Sequence, residues 1–295
     1  MKIKDILQSN EDMSVNFIFD NWLEARFVRR VEDYFIVYLS SHDGCNKSCR
    51  FCHLTQTGQT SFNATTIEEY IIQAKAVLEY YDSIKDSQGH ANVVNFNFMA
   101  RGEALANPVL LENAKELLQK LEVLAIERNL KANFNISTIF PQEMKDKDLR
   151  DIFKGVTQSY GIYYSLYSVE EDFRKKWLPK ALDYRLALQK LEDLQKDNKN
   201  VNIAFHWAFI EDKNDSIESI DKLTQVLADY DLKAKFNLVR YNPFSEKQGA
   251  ESQEVVLQRN FNKLNEFFHN PQSRIVPRVG FDVKASCGMF VIPEA

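Results

Sequence analysis

An α/β fold, with a parallel sheet and helices outside it, is what the order of this chain predicts. Three observations carry that expectation. Six β-type runs alternate with helical runs along one chain, which is the pattern of strand–helix–strand units. The helical runs begin on recognisable caps. Residues suited to chemistry gather just beyond the ends of the β-type runs, where open sheets and barrels of this class place their sites.

In chain order, residues 1–30 read as a short helical extension, with Ile6, Leu7, Phe17, Phe19 and Trp22 among polar residues. That length is too small for a separate domain, so the core is expected over 31–295. Tyr34 to Leu39 is β-branched and aromatic and reads as the first buried strand. Thr66-Ile67-Glu68-Glu69 forms a capping box, and Ile67, Ile71, Ala74 and Leu78 recur at helical spacing up to about Tyr81. Asn92 to Met99 is a second strand with Val94, Phe96 and Phe98 on one face. A helix over 108–128 follows, with Pro108 suited to a first turn. Further strands are expected at 134–139, 161–167, 201–210 and 234–241, and further helices at 182–196, from Asp215 onward, and at 255–268. A last β segment is expected over 274–283.

Composition agrees with a single folded protein of ordinary type. The chain has 295 residues, 44% hydrophobic and 27% charged, enough for one substantial core. No apolar run reaches membrane-span length, and Met1 to Asp5 lacks a signal-peptide core, so a cytoplasmic setting and no membrane partner are expected. Four cysteines, three of them clustered, do not make a disulfide framework. A net charge of −5 argues against a broad electrostatic grip on nucleic acid. The short basic pieces, Arg26 with Arg29-Arg30 and Arg174-Lys175-Lys176, read as solvated faces.

The cysteines carry the chemistry. Cys45, Cys49 and Cys52 are spaced C-x3-C-x2-C in the loop after the first core strand. Three thiolates at such spacing can hold a 4Fe–4S cluster and leave its fourth iron without a protein ligand, open to an amine and a carboxylate of a small molecule. The rival is zinc, with His53 as a fourth ligand, but the usual second ligand pair is missing. A reduced cluster of this kind can cleave the sulfonium of S-adenosylmethionine (SAM), and the protein supplies binding, orientation and exclusion of water. Gly102 permits close backbone approach and Glu103 can accept from the methionine ammonium. Ser137, Ser165 and Asn242 offer hydroxyl and amide groups for ribose and carboxylate. Each alone is more often a turn or cap residue, and only their shared place at strand ends favours the functional reading.

Longer motifs then give a resemblance. Cys45-Asn46-Lys47-Ser48-Cys49-Arg50-Phe51-Cys52 resembles the radical-SAM signature, with an aromatic before the last cysteine. Phe98-Met99-Ala100-Arg101-Gly102-Glu103-Ala104-Leu105-Ala106-Asn107 is similar to the FMGMGEPLLN segment of the RlmN/Cfr adenine C-methyltransferases. Ser165-Leu166-Tyr167 stands where that family has Ser-Leu-His, and Arg174 to Pro179 resembles its RxxLMP segment. Phe236 to Phe244 resembles VNLIPFNPF, and Ala285-Ser286-Cys287-Gly288-Met289 resembles AACGQL. The matches run in order from about Glu24 to Phe290.

The resemblance implies a partial (β/α)6 radical-SAM barrel ending in a catalytic-cysteine loop. It implies a 4Fe–4S cluster on Cys45, Cys49 and Cys52, and SAM held by Gly102, Glu103, Ser137, Ser165, Leu166, Tyr167 and Asn242. It also implies a flavodoxin- or ferredoxin-type electron donor and a nucleobase substrate in RNA, DNA or a nucleotide. In the family one SAM methylates a C-terminal cysteine, here Cys287, and a second gives the 5′-deoxyadenosyl radical that takes a hydrogen from that methyl. The carbon then passes to an adenine. Glu24 is the counterpart of the family's base. By composition alone, Cys287 would be a small buried apolar residue and Glu24 an exposed glutamate.

Two features depart from the pattern. The family has a second reactive cysteine seven residues before its cluster motif, where this sequence has Tyr38. It also has an N-terminal accessory domain for RNA, where about thirty residues precede the core here. A radical-SAM enzyme that transfers no methyl, using Cys287 as hydrogen donor or adduct site, therefore stays open, as does a non-enzymatic metal-binding module.

Overall fold

The computed structural model describes residues 1–199 and 201–293. Its ten strands form one sheet in chain order: β1 (Ile3–Gln8), β2 (Val15–Phe19), β3 (Glu24–Arg29), β4 (Tyr34–Tyr38), β5 (Val93–Phe98), β6 (Lys131–Thr138), β7 (Tyr160–Tyr164), β8 (Asn202–Trp207), β9 (Ala234–Leu238) and β10 (Arg274–Ile275). From β4 to β9 every neighbouring pair is parallel. This is the parallel, partly closed barrel that the alternating runs predict, and the six core strands lie where they were expected.

The first thirty residues differ from expectation. They form no helix; β1, β2 and β3 are antiparallel and join the barrel through β3 against β4. Val15 to Phe19 and Glu24 to Arg29 are buried throughout. A strand buried on both faces shows no period, so its apolar residues cannot be told from those of a helix by pattern alone. The last β segment is also shorter than expected, at Arg274–Ile275. Beyond it, Pro277 has no N–H to give a ladder, and the chain leaves the sheet.

The outer face of the sheet makes the core. Val94, Phe96 and Phe98 on β5 and Phe134 and Ile136 on β6 are 0–2% exposed, in contact with the helices Ile67–Gln88 and Pro108–Ile126. The capping box is present: Thr66 Oγ1 accepts from Glu69 N at 3.3 Å, and Thr66 N donates to Glu69 Oε2 at 2.8 Å. Asn107 caps the second helix through Val109 N at 2.8 Å, while its own amide donates to Ser41 O at 2.6 Å. That one side chain joins a helix start to the beginning of the cysteine loop.

The inner face is different. Asn95, Asn97, Asn133 and Asn135 alternate with the outer residues and line the barrel interior. A parallel sheet covered on both faces is ordinarily apolar on both. Here the interior is polar. Among the described residues, no helix is long and apolar enough to cross a membrane.

Candidate active site

The cysteine loop leaves β4 and is held at both ends. Ser41 N donates to Arg101 O at 2.7 Å, Cys45 N to Gln59 O at 3.0 Å, Arg50 N to Trp177 O at 3.0 Å and His53 N to Gly288 O at 2.9 Å. Gly44 is required by crowding: a Cβ there would lie 2.6 Å from both Gln59 O and Ser61 O. Phe51, the aromatic before the last cysteine, stacks on Tyr167 with centroids 4.4 Å apart.

Cys45, Cys49 and Cys52 share one cavity of about 120 Å³ with Gly102, Glu103, Ser137, Ser165 and Gly288. Burial drives all three thiols up, with mutual thiolate repulsion adding for Cys45 and Cys49; Cys45 is pushed to about 12. Such a set is unfavourable as three thiolates unless a cation compensates them, which is the condition a thiolate-ligated iron cluster meets. Among the described residues, no three His, Cys, Asp or Glu side chains close on a single ion-sized point. Ligands of a cluster need not do so, because each binds a different iron. His53, the expected fourth ligand of a zinc alternative, is turned away: its Nε2 lies 2.9 Å from Asn242 O.

Glu103 is buried on the cavity wall, accepting from Leu105 N and Ile139 N, each at 3.1 Å. Burial pushes its carboxyl up to about 7, against the pull of Thr138 and these amides. Gly102, at φ +92°, is needed chiefly because a Cβ would lie 2.8 Å from His42 N. Ser137 and Ser165 line this cavity and also the next one.

That next cavity, about 170 Å³, holds Cys287. Cys287 is open to the cavity, yet the surrounding protein desolvates it. This and the nearby Cys52 push its thiol to about 11, against Arg26 and Arg30. Tyr167 lines the same cavity, and so does Tyr38. The position at which the resemblance calls for a second cysteine therefore does face Cys287, carrying a phenol. Phe51, Met99, Ser137, Ser165 and Gly288 line both cavities, so the two adjoin.

Three expected site residues are placed differently. Leu166 is fully buried and lines neither cavity; its carbonyl accepts from Arg174 Nη1 at 3.0 Å. Asn242 lies behind the cysteine loop, where its Nδ2 donates to Cys287 O at 2.9 Å and to Ser286 Oγ at 3.1 Å. It fixes the backbone that presents the thiol. Glu24 is fully buried on β3 and lines neither cavity. Its Oε1 accepts from Arg101 Nε at 2.9 Å and Val291 N at 3.0 Å, its Oε2 from Arg26 Nη2 at 2.8 Å and Asn16 Nδ2 at 3.0 Å. Burial raises its pKa, but Arg26 and Arg101 outweigh burial and hold the carboxyl below its usual range. A carboxylate so stabilised is a weak base and a strong anchor.

This network holds residues the sequence reading passed over. Arg101 also donates to Asp43 O at 2.6 Å and Val291 O at 2.8 Å, and Arg26 to Met289 O at 2.7 Å. Together with Glu24 they tie the cysteine loop to the Cys287 segment. Arg26, with Arg174 of the other basic run, is thus buried rather than on a solvated face. The signal for Arg101 was its place inside the Phe98–Asn107 motif. For Arg26 it was Glu24 two residues before it; the two share one face of a strand only once 24–29 is read as a strand, while its partner Met289 O is remote in sequence.

Comparison with known proteins agrees with this geometry. The RlmN dual-specificity RNA methyltransferase of Aliarcobacter butzleri is 28% identical over 274 residues, 90% of this chain and 69% of the relative. The chain is a homologue of the RlmN radical-SAM methyltransferases. The RlmN protein of Ruthia magnifica is 27% identical over 85% of this chain and 65% of its own length, so the chain spans about two thirds of these relatives. No family model matches the chain. A radical SAM methyltransferase structure from Sphaerobacter thermophilus superposes with a TM-score of 0.75 at 17% identity, covering 98% of this chain and 80% of that one, which establishes the fold. HydG, a maturase of the [FeFe]-hydrogenase, shares it more distantly, at TM-score 0.53 and 11% identity over 81% of this chain and 51% of its own. Enzymes of the RlmN type use a 4Fe–4S cluster and SAM, and homology to them supports a radical-SAM methylation function here.

Proposed function

We propose that this chain transfers a SAM-derived carbon to an adenine-type base by way of Cys287. Cys45, Cys49 and Cys52 would hold the cluster, and Glu103 with Ser137 and Ser165 would bind SAM. When bound, the cluster and SAM together supply the 5′-deoxyadenosyl radical that activates a methyl on Cys287. A donor of flavodoxin or ferredoxin type would provide the electron.

The observation that supports this reading most is the adjoining of the two cavities, with Ser137, Ser165 and Gly288 common to both. A thiol placed beside the cofactor space can exchange a group with a molecule bound there without leaving the barrel mouth. The chain's own residues give the orientation: Asn242 holds Cys287 O, Arg26 holds Met289 O, and Gly288 O is fixed by His53 N. Phe51 stacked on Tyr167 closes one wall against water. Methylation of RNA is what the RlmN relatives' name carries; for this chain an adenine in RNA, DNA or a nucleotide is the proposed acceptor.

Tyr38 favours a second outcome for the last step. In the family, the adduct on the methyl-carrying cysteine is resolved by a second thiol, and that release is thiol–disulfide chemistry. Tyr38 occupies the facing position, and the other three cysteines form the cluster set. Release by disulfide formation is therefore not available from these residues, and Cys287 would keep its adduct longer or release it by another route.

Intact-mass analysis after anaerobic incubation with SAM tests the reading. One methyl is expected on Cys287 in the reduced, reconstituted protein, and none in Cys287→Ala. A Cys287 that never gains a methyl while 5′-deoxyadenosine forms would favour a radical-SAM enzyme without methyl transfer.

A further inference from the structure

Below the Cys287 cavity the barrel interior opens into a polar lumen of about 620 Å³. Tyr38, Met99, His206 and Arg30 line both spaces, so one runs into the other. Three cations face this lumen: Arg30, Lys235 and Arg274. Among the described residues, no carboxylate pairs with any of them. The contrast is local. Arg240 and Arg278, which line the Cys287 cavity, are both paired, Arg240 with Glu251 and Glu254 and Arg278 with Glu251. Among the described residues, Asp33 is the one acidic side chain on the lumen wall, and its Oδ1 accepts from Asn92 Nδ2 at 2.7 Å. Arg30 and Lys235 are half-buried and Arg274 is exposed, with its Nη1 donating to Tyr34 Oη at 3.0 Å. Three cations gathered without a carboxylate give the lumen a local positive potential that favours a visiting anion.

Asn237 gives an independent sign of a missing partner. It is 2% exposed, lines the lumen, and its Oδ1 has no hydrogen-bond donor. A buried amide oxygen left unpaired costs about 1–3 kcal/mol, and such groups are ordinarily satisfied. His206 Nδ1, on the wall shared with the Cys287 cavity, is unpartnered too. Arg30 reaches the Cys287 cavity as well, and the amides of Asn95, Asn97, Asn133 and Asn135 line the lumen. Asn133 Nδ2 donates to Asn95 Oδ1 at 3.3 Å and Asn135 Nδ2 to Asn97 Oδ1 at 2.7 Å, and their remaining donors and acceptors suit the edge of a base or the hydroxyls of a ribose.

We propose that the lumen holds a nucleoside phosphate, with its phosphate on Lys235, Arg274 and Arg30 and its base directed toward Cys287 and Tyr38. The dimensions agree. Lys235 and Asn237 face the lumen and Val239 faces the Cys287 cavity, so four residues separate the two ends, about 13 Å along the strand. That is the span of a mononucleotide. The volume falls in the range of small-molecule sites and admits a single nucleotide, not a duplex. The assignment deepens the proposed function, because it selects the acceptor class for the same Cys287.

Calorimetric titration of the anaerobically reconstituted protein tests it, with AMP, adenosine, inorganic phosphate and a short single-stranded RNA as separate probes. AMP is expected to bind and inorganic phosphate to compete with it. Lys235→Met and the exposed Arg274→Gln should each weaken AMP about 10- to 100-fold while changing adenosine by less than about threefold. RNA binding that falls by the same factor in both variants supports the site with a polymer as its source. Absence of AMP binding at millimolar concentration in wild type, or an affinity unmoved by both variants, overturns the proposal. Charge-dependent AMP binding without any SAM-dependent methylation would keep the lumen site and remove the methyl-transfer reading. Methylation of a nucleic acid without AMP binding would do the reverse.

Discussion

The two ends of the barrel interior treat charge in opposite ways. At the cluster end the charged groups are answered from within the protein: Glu24 by Arg26 and Arg101, and Arg240 and Arg278 by Glu251. In the lumen, Arg30, Lys235 and Arg274 have no carboxylate partner among the described residues. Burial and then Arg274 hold the Lys235 ammonium below its usual range, which is the mark of cations gathered without a counter-ion. The difference teaches a division of labour. The upper end is wired for fixed geometry, as radical chemistry beside a thiol demands, and the lower end keeps unsatisfied groups for something that comes and goes.

The largest expected effect breaks the upper end outright. Cys49→Ala should lower iron well below the about four per chain of the reconstituted protein and take SAM-dependent 5′-deoxyadenosine to background. Iron assay and product analysis read both. A variant that kept full iron and turnover would sink the cluster assignment.

Next comes the wiring. Glu24→Ala leaves two arginines buried without their carboxylate, and a loss of about 3–5 kcal/mol is expected in denaturant unfolding. If Glu24 were instead a solvent-facing base, stability would hardly move and only turnover would fall.

Asn242→Ala separates positioning from chemistry. It removes the amide that holds Cys287 O and Ser286 Oγ. Methyl transfer is expected to fall about 10- to 100-fold through misplacement of the thiol, with SAM cleavage within about threefold of wild type. Equal loss of both activities would place Asn242 on the cofactor, as the sequence first suggested.

The smallest effect is a pH dependence. Glu103 is raised to about 7 in the folded protein by burial. Its neutral form is therefore favoured by folding: the stability it contributes is full below about 4.5 and is lost as pH rises through about 7. Acceptance from a SAM ammonium needs the ionised form. SAM affinity measured by titration should therefore weaken by about tenfold for each pH unit below 7, and Glu103→Gln should flatten that profile. An unchanged slope in Glu103→Gln would place the titration elsewhere.

Much of this was legible in the residues, and for a physical reason. The parallel strands from Tyr34 to Leu238 show themselves because helix-start signals such as the Thr66 capping box and Pro108 at a first turn are local devices, read within four residues. The N-terminal strands were missed because Val15–Phe19 and Glu24–Arg29 are buried on both faces, which erases their period. The polar lumen was written in the alternation of Asn95 and Asn97 with Phe96 and Phe98, and of Asn133 and Asn135 with Phe134. Its meaning needed the curvature that turns one face inward.

By itself the sequence determined the three-cysteine loop, the order of the core strands and the placing of Cys287 in a C-terminal loop. These rest on spacing along the chain, which covalent geometry preserves. Only the tertiary structure decided that Glu24 is an anchor between two arginines, that Asn242 holds the Cys287 backbone, and that Tyr38 looks across a cavity at Cys287. Each of these depends on partners between 2 and 249 positions away, most of them brought together by the folded barrel alone. A carboxylate reads as base or anchor according to the charges that surround it, and no stretch of sequence contains that information.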